Sequence, residues 1–464
     1  MQETPEGFGV DELDGQTMVH PLGLAALLLF GLAMLVVPRK YAVWPLIFMA
    51  CCIAPAQRFA IFSLNFHFLR IMLLFATARI VCRGEASKLR LIALDWVVLA
   101  HAICGSVIYM LQYQSLDAVI AKMGSSYDAL GTYFAFRCLV RSWDDVHSLI
   151  LGFLVTSIPV TIGFVIESKT GRNVFAFLGG VPEFTEVREG RLRCQGAFSH
   201  PILAGCFWAS MLPMIVARWF APGKSKFTTL IGTICCLMLV ALSASSTPIM
   251  AVLFGVVAAC VYPLRKYMSA MRWGGLATLL ILHFFILKGP VWSLLAKVNI
   301  LGGSTGWHRF HLVDEAINHF PEWWLFGTRD TSHWGWGLWD ITNQFVMEGT
   351  RGGVLTMLLF ISIIVVTFAY VGIIVRANSD KSRSPTRIMA WAIGTATFVN
   401  VCSYFAVSYF GQISILTWLG AALIASIISY GDRPGRVATG APAFPMTSTL
   451  PSMAGKTAVH SRYV

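Results

Sequence analysis

The chain has 464 residues, of which 56% are hydrophobic and only 12% charged. A soluble domain carries about 25% charged residues, so this composition excludes an ordinary soluble enzyme and favours a protein solvated by lipid. The net charge of +12 does not signal a nucleic-acid partner, because the basic residues are scattered between apolar runs instead of massed on one segment.

Residues 1–20 hold five acids (Glu3, Glu6, Asp11, Glu12 and Asp14) and no Lys or Arg, the reverse of a signal-peptide start. The first apolar run is therefore expected to stay as a helix. A membrane-crossing helix needs roughly 17–25 apolar residues. Such segments fall near 21–37, 41–56, 66–82, 91–112, 125–140, 147–166, 199–219, 228–245, 247–264, 274–292, 352–375, 388–409 and 412–429. The expected fold is all-α, a polytopic transmembrane bundle of 12–13 helices. Two segments set that range: the short second one, with Pro at both ends, and the fifth, which contains Asp128 and Arg137.

Alternate connections are basic: Arg39 and Lys40; Arg79, Arg83, Lys88 and Arg90; Arg137 and Arg141; Arg218, Lys224 and Lys226; Arg265, Lys266 and Arg272; Arg376, Lys381, Arg383 and Arg387. The positive-inside rule then puts the N-terminus outside and the tail 431–464 in the cytoplasm. That tail is rich in Pro, Gly, Ser, Thr and Ala and is expected to be disordered. Two long loops, near 167–198 and 293–351, fall on the outer side. In the second, Phe310, Val313, Ile317 and Phe320 recur at near-helical spacing, with Arg309, Asp314, Glu315 and His319 opposite. The pattern predicts a helix lying at the membrane surface.

Nucleotide chemistry finds no support. Gly455-Lys456-Thr457 echoes the end of a phosphate-binding loop, but Leu450 stands where its first Gly belongs. No D-x-D pair is present. Ten of the eleven cysteines lie in or beside apolar runs, and Cys194 alone falls in a loop, so no disulfide framework is expected. Without a C-x-x-C or His-rich spacing, neither a metal nor another cofactor is expected.

Three sets of residues carry possible chemistry. Arg188, Arg191 and Arg193 close the first long loop, Arg309 sits on the surface helix, and Arg70 lies near the end of the third apolar segment. Arginine binds phosphate oxygens bidentately and stays charged, so these suit a lipid diphosphate. Lipid-headgroup anchoring is the plainer use. His333, Asp340, Asn343, Gln344 and Glu348 crowd the start of the eleventh segment. Were 340–348 helical, Asp340, Asn343 or Gln344, and Glu348 would share one face. Such a group can serve as general base, or Asp340 can simply cap the helix. Seven of the fifteen tryptophans (292, 307, 323, 324, 334, 336 and 339) lie in the second loop region, as sugar platforms or as an interfacial belt. Asp95 and His101 can pair between helices, His283 reads as packing, and Ser243, Ser245 and Ser246 read as small residues for close helix approach.

The segment RCQGAFSHPILAGCFWASMLP, with Arg193, Gly196, Phe198 and His200, resembles the O-antigen ligase and O-antigen polymerase superfamily. GWHRFHLVDEAINHFPEWWLFGT is similar to that family's Arg-led amphipathic helix and following turn, through Arg309, Ala316, Pro321 and Gly327. DITNQFVMEGTRGGVLTMLLF resembles its later stretch, through Asn343, Phe345, Glu348 and Gly353; Thr342 stands where many members have His. The resemblance covers about 193–360. It implies a bacterial inner-membrane glycosyltransferase acting on the periplasmic face with an undecaprenyl-diphosphate-linked oligosaccharide as donor. In a polymerase of O-antigen or exopolysaccharide the acceptor is another lipid-linked repeat unit; in a ligase it is the lipopolysaccharide core on lipid A, or a protein hydroxyl. On this reading Arg193 and Arg309 stabilise the departing diphosphate and Asp340 or His333 activates the acceptor, with inversion. Arg70, Arg191, His200, Asn343, Glu348 and Trp336 bind substrate, and the partners are membrane lipid and other polysaccharide assembly proteins, not nucleic acid. A secondary transporter or flippase is the rival.

Overall fold

In a computed structural model of the chain, the described residues are 17–61, 64–297, 306–377 and 384–430. The acids at positions 3–14 and the tail 431–464 lie outside them. The helices in order are α1 (Pro21–Val36), α2 (Trp44–Cys52), α3 (Phe68–Cys82), α4 (Ala93–Tyr113), α5 (Leu116–Leu139), α6 (Trp143–Thr170), α7 (Pro201–Ala217), α8 (Lys226–Leu242), α9 (Ser246–Cys260), α10 (Met268–Ile281), α11 (Gly306–Asn318), α12 (Phe320–Trp323), α13 (Gln344–Ala377), α14 (Pro385–Tyr404) and α15 (Ser414–Tyr430). Two short antiparallel hairpins interrupt them, β1 (Arg58–Ile61) with β2 (Leu64–His67) and β3 (Glu186–Arg188) with β4 (Arg191–Arg193).

Every predicted apolar segment overlaps a helix. Six stretches are long and apolar enough to cross a membrane: α4, α6, Pro201–Phe220, Tyr262–Ile286, α13 and Gly411–Tyr430. The apolar helices α1, α8 and α9 are shorter. The molecule is an all-α bundle of the polytopic membrane type. Its surface says the same, since no residue in the apolar window of Tyr262–Ile286 is buried. An apolar rod exposed all round has no stable place in water.

Local signals set the helix ends. Ser142 and Asp145 form a capping box that starts α6, and Gly171 in the left-handed conformation stops it. His200 caps α7 ahead of Pro201, whose fixed φ suits a first helical position. From there α7 runs through the interior against α8, α9 and α14, with Phe207 and Trp208 wholly buried.

The charges that made the fifth segment doubtful are paired. Asp128 of α5 takes a two-pronged contact from Arg70 (2.9 and 2.6 Å), and Arg137 of α5 does the same to Asp95 of α4 (2.8 and 2.7 Å). At the same end of the bundle as Arg137, Arg79 bonds Glu85 at 3.0 Å through both prongs and the carbonyls of Met34 and Val37 at the end of α1.

At the opposite end, α11, α12 and the start of α13 build a small separate core from Leu312, Ala316, Trp323, Trp334 and Leu338. Two glycines lock it. Gly353 (φ 68°) breaks α13, and a Cβ there would lie 2.3 Å from the Leu325 carbonyl oxygen. Gly327 (φ 75°) would meet the Thr350 carbonyl at 2.2 Å in the same way. Only glycine permits both the backbone angle and the approach. The Thr328 amide then donates to Thr350 O (2.7 Å) and the Val354 amide to Trp324 O (2.8 Å).

Candidate anion site at the start of helix α9

The first long loop folds back on a buried acid. Glu167, at the end of α6, accepts from the amides of Gln195 (3.1 Å) and Gly196 (3.0 Å) and from Thr185 Oγ1 (3.3 Å). The Cys194 amide donates to the last carbonyl of α8, Leu242 (3.1 Å). Between these anchors the β3–β4 hairpin pairs Arg193 with Glu186 across the strands. The Arg193 side chain, 4% exposed, donates to Glu186 Oε1 (2.7 Å) and to Ser245 Oγ (2.8 Å), while its Nε is buried without an acceptor among the described residues.

Arg309 arrives at the same place from α11. Gly306, Arg309, Leu312 and Ala316 form the buried face of that helix, whereas Ile317 and Phe320 are exposed. Arg309 therefore lies on a different side of the helix from Ile317, as the spacing predicts, and faces the bundle. Its NH2 group donates to Thr247 Oγ1 (3.0 Å) and its Nε to the Ala406 carbonyl (3.1 Å). Arg309 lines a cavity of about 170 Å³ with Ser246, Thr247, Met250, Phe254, Cys402 and Phe405, so one wall is cationic and most of the rest apolar.

Ser245 and Thr247 are the cap and first turn of α9. Two arginines thus converge on a helix N-terminus, where the helix dipole already contributes positive potential. The turn before it is strained, with non-glycine Ala244 at φ 44°. Arg309 has hydroxyl and carbonyl partners but no carboxylate among the described residues. Burial lowers the pKa of its guanidinium, and Arg188 lowers it further against an opposing effect of Cys206; arginine nonetheless stays charged. His200 reports the same field. Its Nδ1 accepts from the Ile202 amide (3.1 Å), and burial, then Arg193 and Arg188, push its pKa down to about 3. A buried, positive corner at a helix start is an arrangement that can hold an anion.

Arg191 is exposed on β4 beside this corner. Arg70 does not join it: besides Asp128 it bonds the Asn65 carbonyl (2.5 Å). Residues 340–343 are not helical, so Asp340 shares no helical face with Glu348. Asn343 is the acceptor that starts α13, its Oδ1 receiving the amides of Phe345 (3.0 Å) and Val346 (3.2 Å). Asp340 has an exposed surface, yet the protein packed around it raises its pKa while His308 lowers it. Neither Asp340 nor His333 lines the cavity. His333 instead contacts Glu322 at 3.0 Å. Among the tryptophans, Trp323 and Trp334 are core, and Trp336, 87% exposed, stands edge-on to Trp339.

Glu348 is tied to the arginine corner through the α14–α15 connection, which supplies both Ala406 and Tyr409. The Tyr409 amide donates to Gln344 Oε1 (2.7 Å), Gln344 Nε2 to Glu348 Oε1 (2.9 Å), and Glu348 Oε2 lies 3.1 Å from His101 Nε2 of α4. Sequence reading missed Ser245 and Thr247 as arginine partners. The small-residue reading of that run holds for Ser243, whose Oγ would lie 2.5 Å from a Cβ on Gly205, but Ser245 has a polar task. It also missed Glu186; the Glu189-Gly190 turn between two Val/Leu-centred triplets was the available hairpin signal. The sequence spacing also gave no sign that His319, Glu322 and His333 bring their ligand atoms within 4.8 Å of one another. No family model matches this chain, and no curated protein matches it in sequence.

Proposed function

We propose that this chain is a glycosyltransferase of a bacterial inner membrane, a polysaccharide polymerase that moves an undecaprenyl-diphosphate-linked glycan onto a lipid-linked repeat unit at the periplasmic face, in O-antigen or exopolysaccharide synthesis. The observation that carries it is the convergence of Arg193 and Arg309 on the first turn of α9. On this reading all thirteen apolar helices belong to the membrane region, the end bearing α11 faces the periplasm, and the C-terminus is cytoplasmic. The short connections rich in Arg and Lys at the other end support that orientation.

In the reaction, the acceptor hydroxyl oxygen attacks the anomeric carbon as the bond from that carbon to the diphosphate oxygen breaks. The diphosphate leaves with the electron pair, and Arg193 and Arg309 stabilise the charge that develops on it. Met250, Phe254 and Phe405 give the polyprenyl chain an apolar wall. The acceptor proton passes to a carboxylate. Glu348 is the favoured base, because Gln344 joins it by hydrogen bonds to the α14–α15 connection that also meets Arg309, and His101 lies against it; Asp340, with its raised pKa, is the alternative.

The chain in liposomes, supplied with a lipid-diphosphate-linked repeat unit, should yield a ladder of longer glycans and free lipid diphosphate. Lipid A core as acceptor supplies the ligase arm of the same assay. The His101–Glu348 pair between helices also suits an ion path, which is the transport reading. Movement of unaltered substrate across the bilayer, with no new glycosidic bond, would replace the enzyme reading with that one.

A further inference from the structure

We propose that His319, Glu322 and His333 form a binding site for a divalent transition metal of the zinc class, which clips the turn Ser332–Trp334 to the end of α11. This inference stands independently of the glycosyltransferase reading.

Three potential ligand atoms, one from each residue, lie within 4.8 Å of one another. His333 Nε2 is 3.0 Å from both Glu322 oxygens, and the two imidazole rings stand perpendicular, centroids 5.8 Å apart. Two nitrogens and one carboxylate oxygen are a donor set that zinc takes at about 2.0–2.2 Å, which puts tetrahedral ligand atoms roughly 3.3 Å apart. The half-exposed side chains of His333 (50%) and Glu322 (39%) reach that spacing by rotation. The same exposure leaves the fourth position to water or to a ligand from solution.

What distinguishes this cluster from an ordinary surface ion pair is its outer layer. His319 Nδ1 lies 2.9 Å from the Glu315 carbonyl oxygen, an acceptor only, so Nδ1 carries the hydrogen and Nε2 presents its lone pair. The Trp334 indole N–H donates to Glu322 Oε2 (2.9 Å), and its ring stacks on His319 at 5.2 Å and 16°. A ligating histidine whose other nitrogen donates to a carbonyl, and a ligating carboxylate fixed by an N–H donor, are the usual surroundings of a bound metal.

The three residues belong to two chain segments separated by the turn after Trp323, so a metal here crosslinks the loop that leads to the Asn343 cap of α13. The test uses the full chain, purified in detergent without a polyhistidine tag and stripped with chelator. Zinc alone is titrated by calorimetry, and cobalt by its visible absorption. The expected result is one tightly bound zinc per chain, a cobalt spectrum of low coordination number, and a melting temperature that rises with metal. His333→Gln and His319→Ala should abolish all three, Trp334→Phe should weaken binding by roughly 10–100-fold, and His311→Ala should leave it intact. Binding seen only at millimolar metal, or equally tight in His333→Gln, would overturn the proposal.

Discussion

The two ends of the bundle use buried arginine in opposite ways. At one end Arg79 and Arg137 each face a carboxylate in a two-pronged contact, and Arg79 also meets the carbonyls that close α1. Charge, hydrogen bonds and helix dipole all agree there. At the other end Arg309 meets a hydroxyl and one carbonyl beside the positive start of α9, and Arg193 shares that corner with the half-exposed Glu186 as its counter-charge among the described residues. In the first arrangement each arginine faces a carboxylate of the chain, although one terminal nitrogen of Arg137 is buried without an acceptor among the described residues. In the second, Arg309 faces no carboxylate among the described residues. Buried arginines of this fold thus differ in the charge of what surrounds them.

That contrast is sharpest for stability. Arg137→Ala strands Asp95 in a site with no exposed side-chain surface and should cost about 3–5 kcal/mol. Thermal unfolding in detergent should show the loss, and the Arg137→Ala/Asp95→Ala pair should recover part of it. A fully stable Arg137→Ala would break the distinction between the two ends.

The next effect falls on turnover. Arg309→Ala should slow glycan lengthening by about 10²–10³-fold while the protein still folds. Arg309→Lys should not restore the rate, since lysine lacks the planar fork. Arg193→Ala should cost less, because Glu186 already offsets part of its charge. An Arg309→Ala protein of unchanged turnover removes that residue from the reaction.

The smallest effect is a pH dependence. His200 titrates near 6.5 when free and near 3 in the fold. Between those values the unfolded chain binds a proton that the folded chain refuses, so stability falls as pH drops below about 6.5. His200→Asn keeps an acceptor for the Ile202 amide and should flatten the acid limb of a melting-temperature profile. An unchanged profile would show that the field at the α7 start is weaker than drawn.

Helix positions were legible in the sequence because twenty-residue apolar runs have few other uses. The facing of α11 was not. The spacing separates the Ile317 side from the Arg309 side but does not say that Arg309 packs into the bundle, because in a membrane protein apolar surface can face lipid while a polar side chain is buried. Arg193 and Arg309 were identifiable by type and flanking motif, but their meeting point was not, because Ser245 and Thr247 are ordinary small residues until a hairpin and a distant helix are laid against them. Asp340 drew attention that belonged to Asn343, as either side chain can start a helix.

Binding of a glycan-free polyprenyl diphosphate to the purified chain probes the anion corner without any chemistry. The account predicts salt-sensitive binding that weakens by about 10–100-fold in Arg309→Gln, the range for losing hydrogen bonds to a charged group. Equal affinity in the two proteins would contradict it.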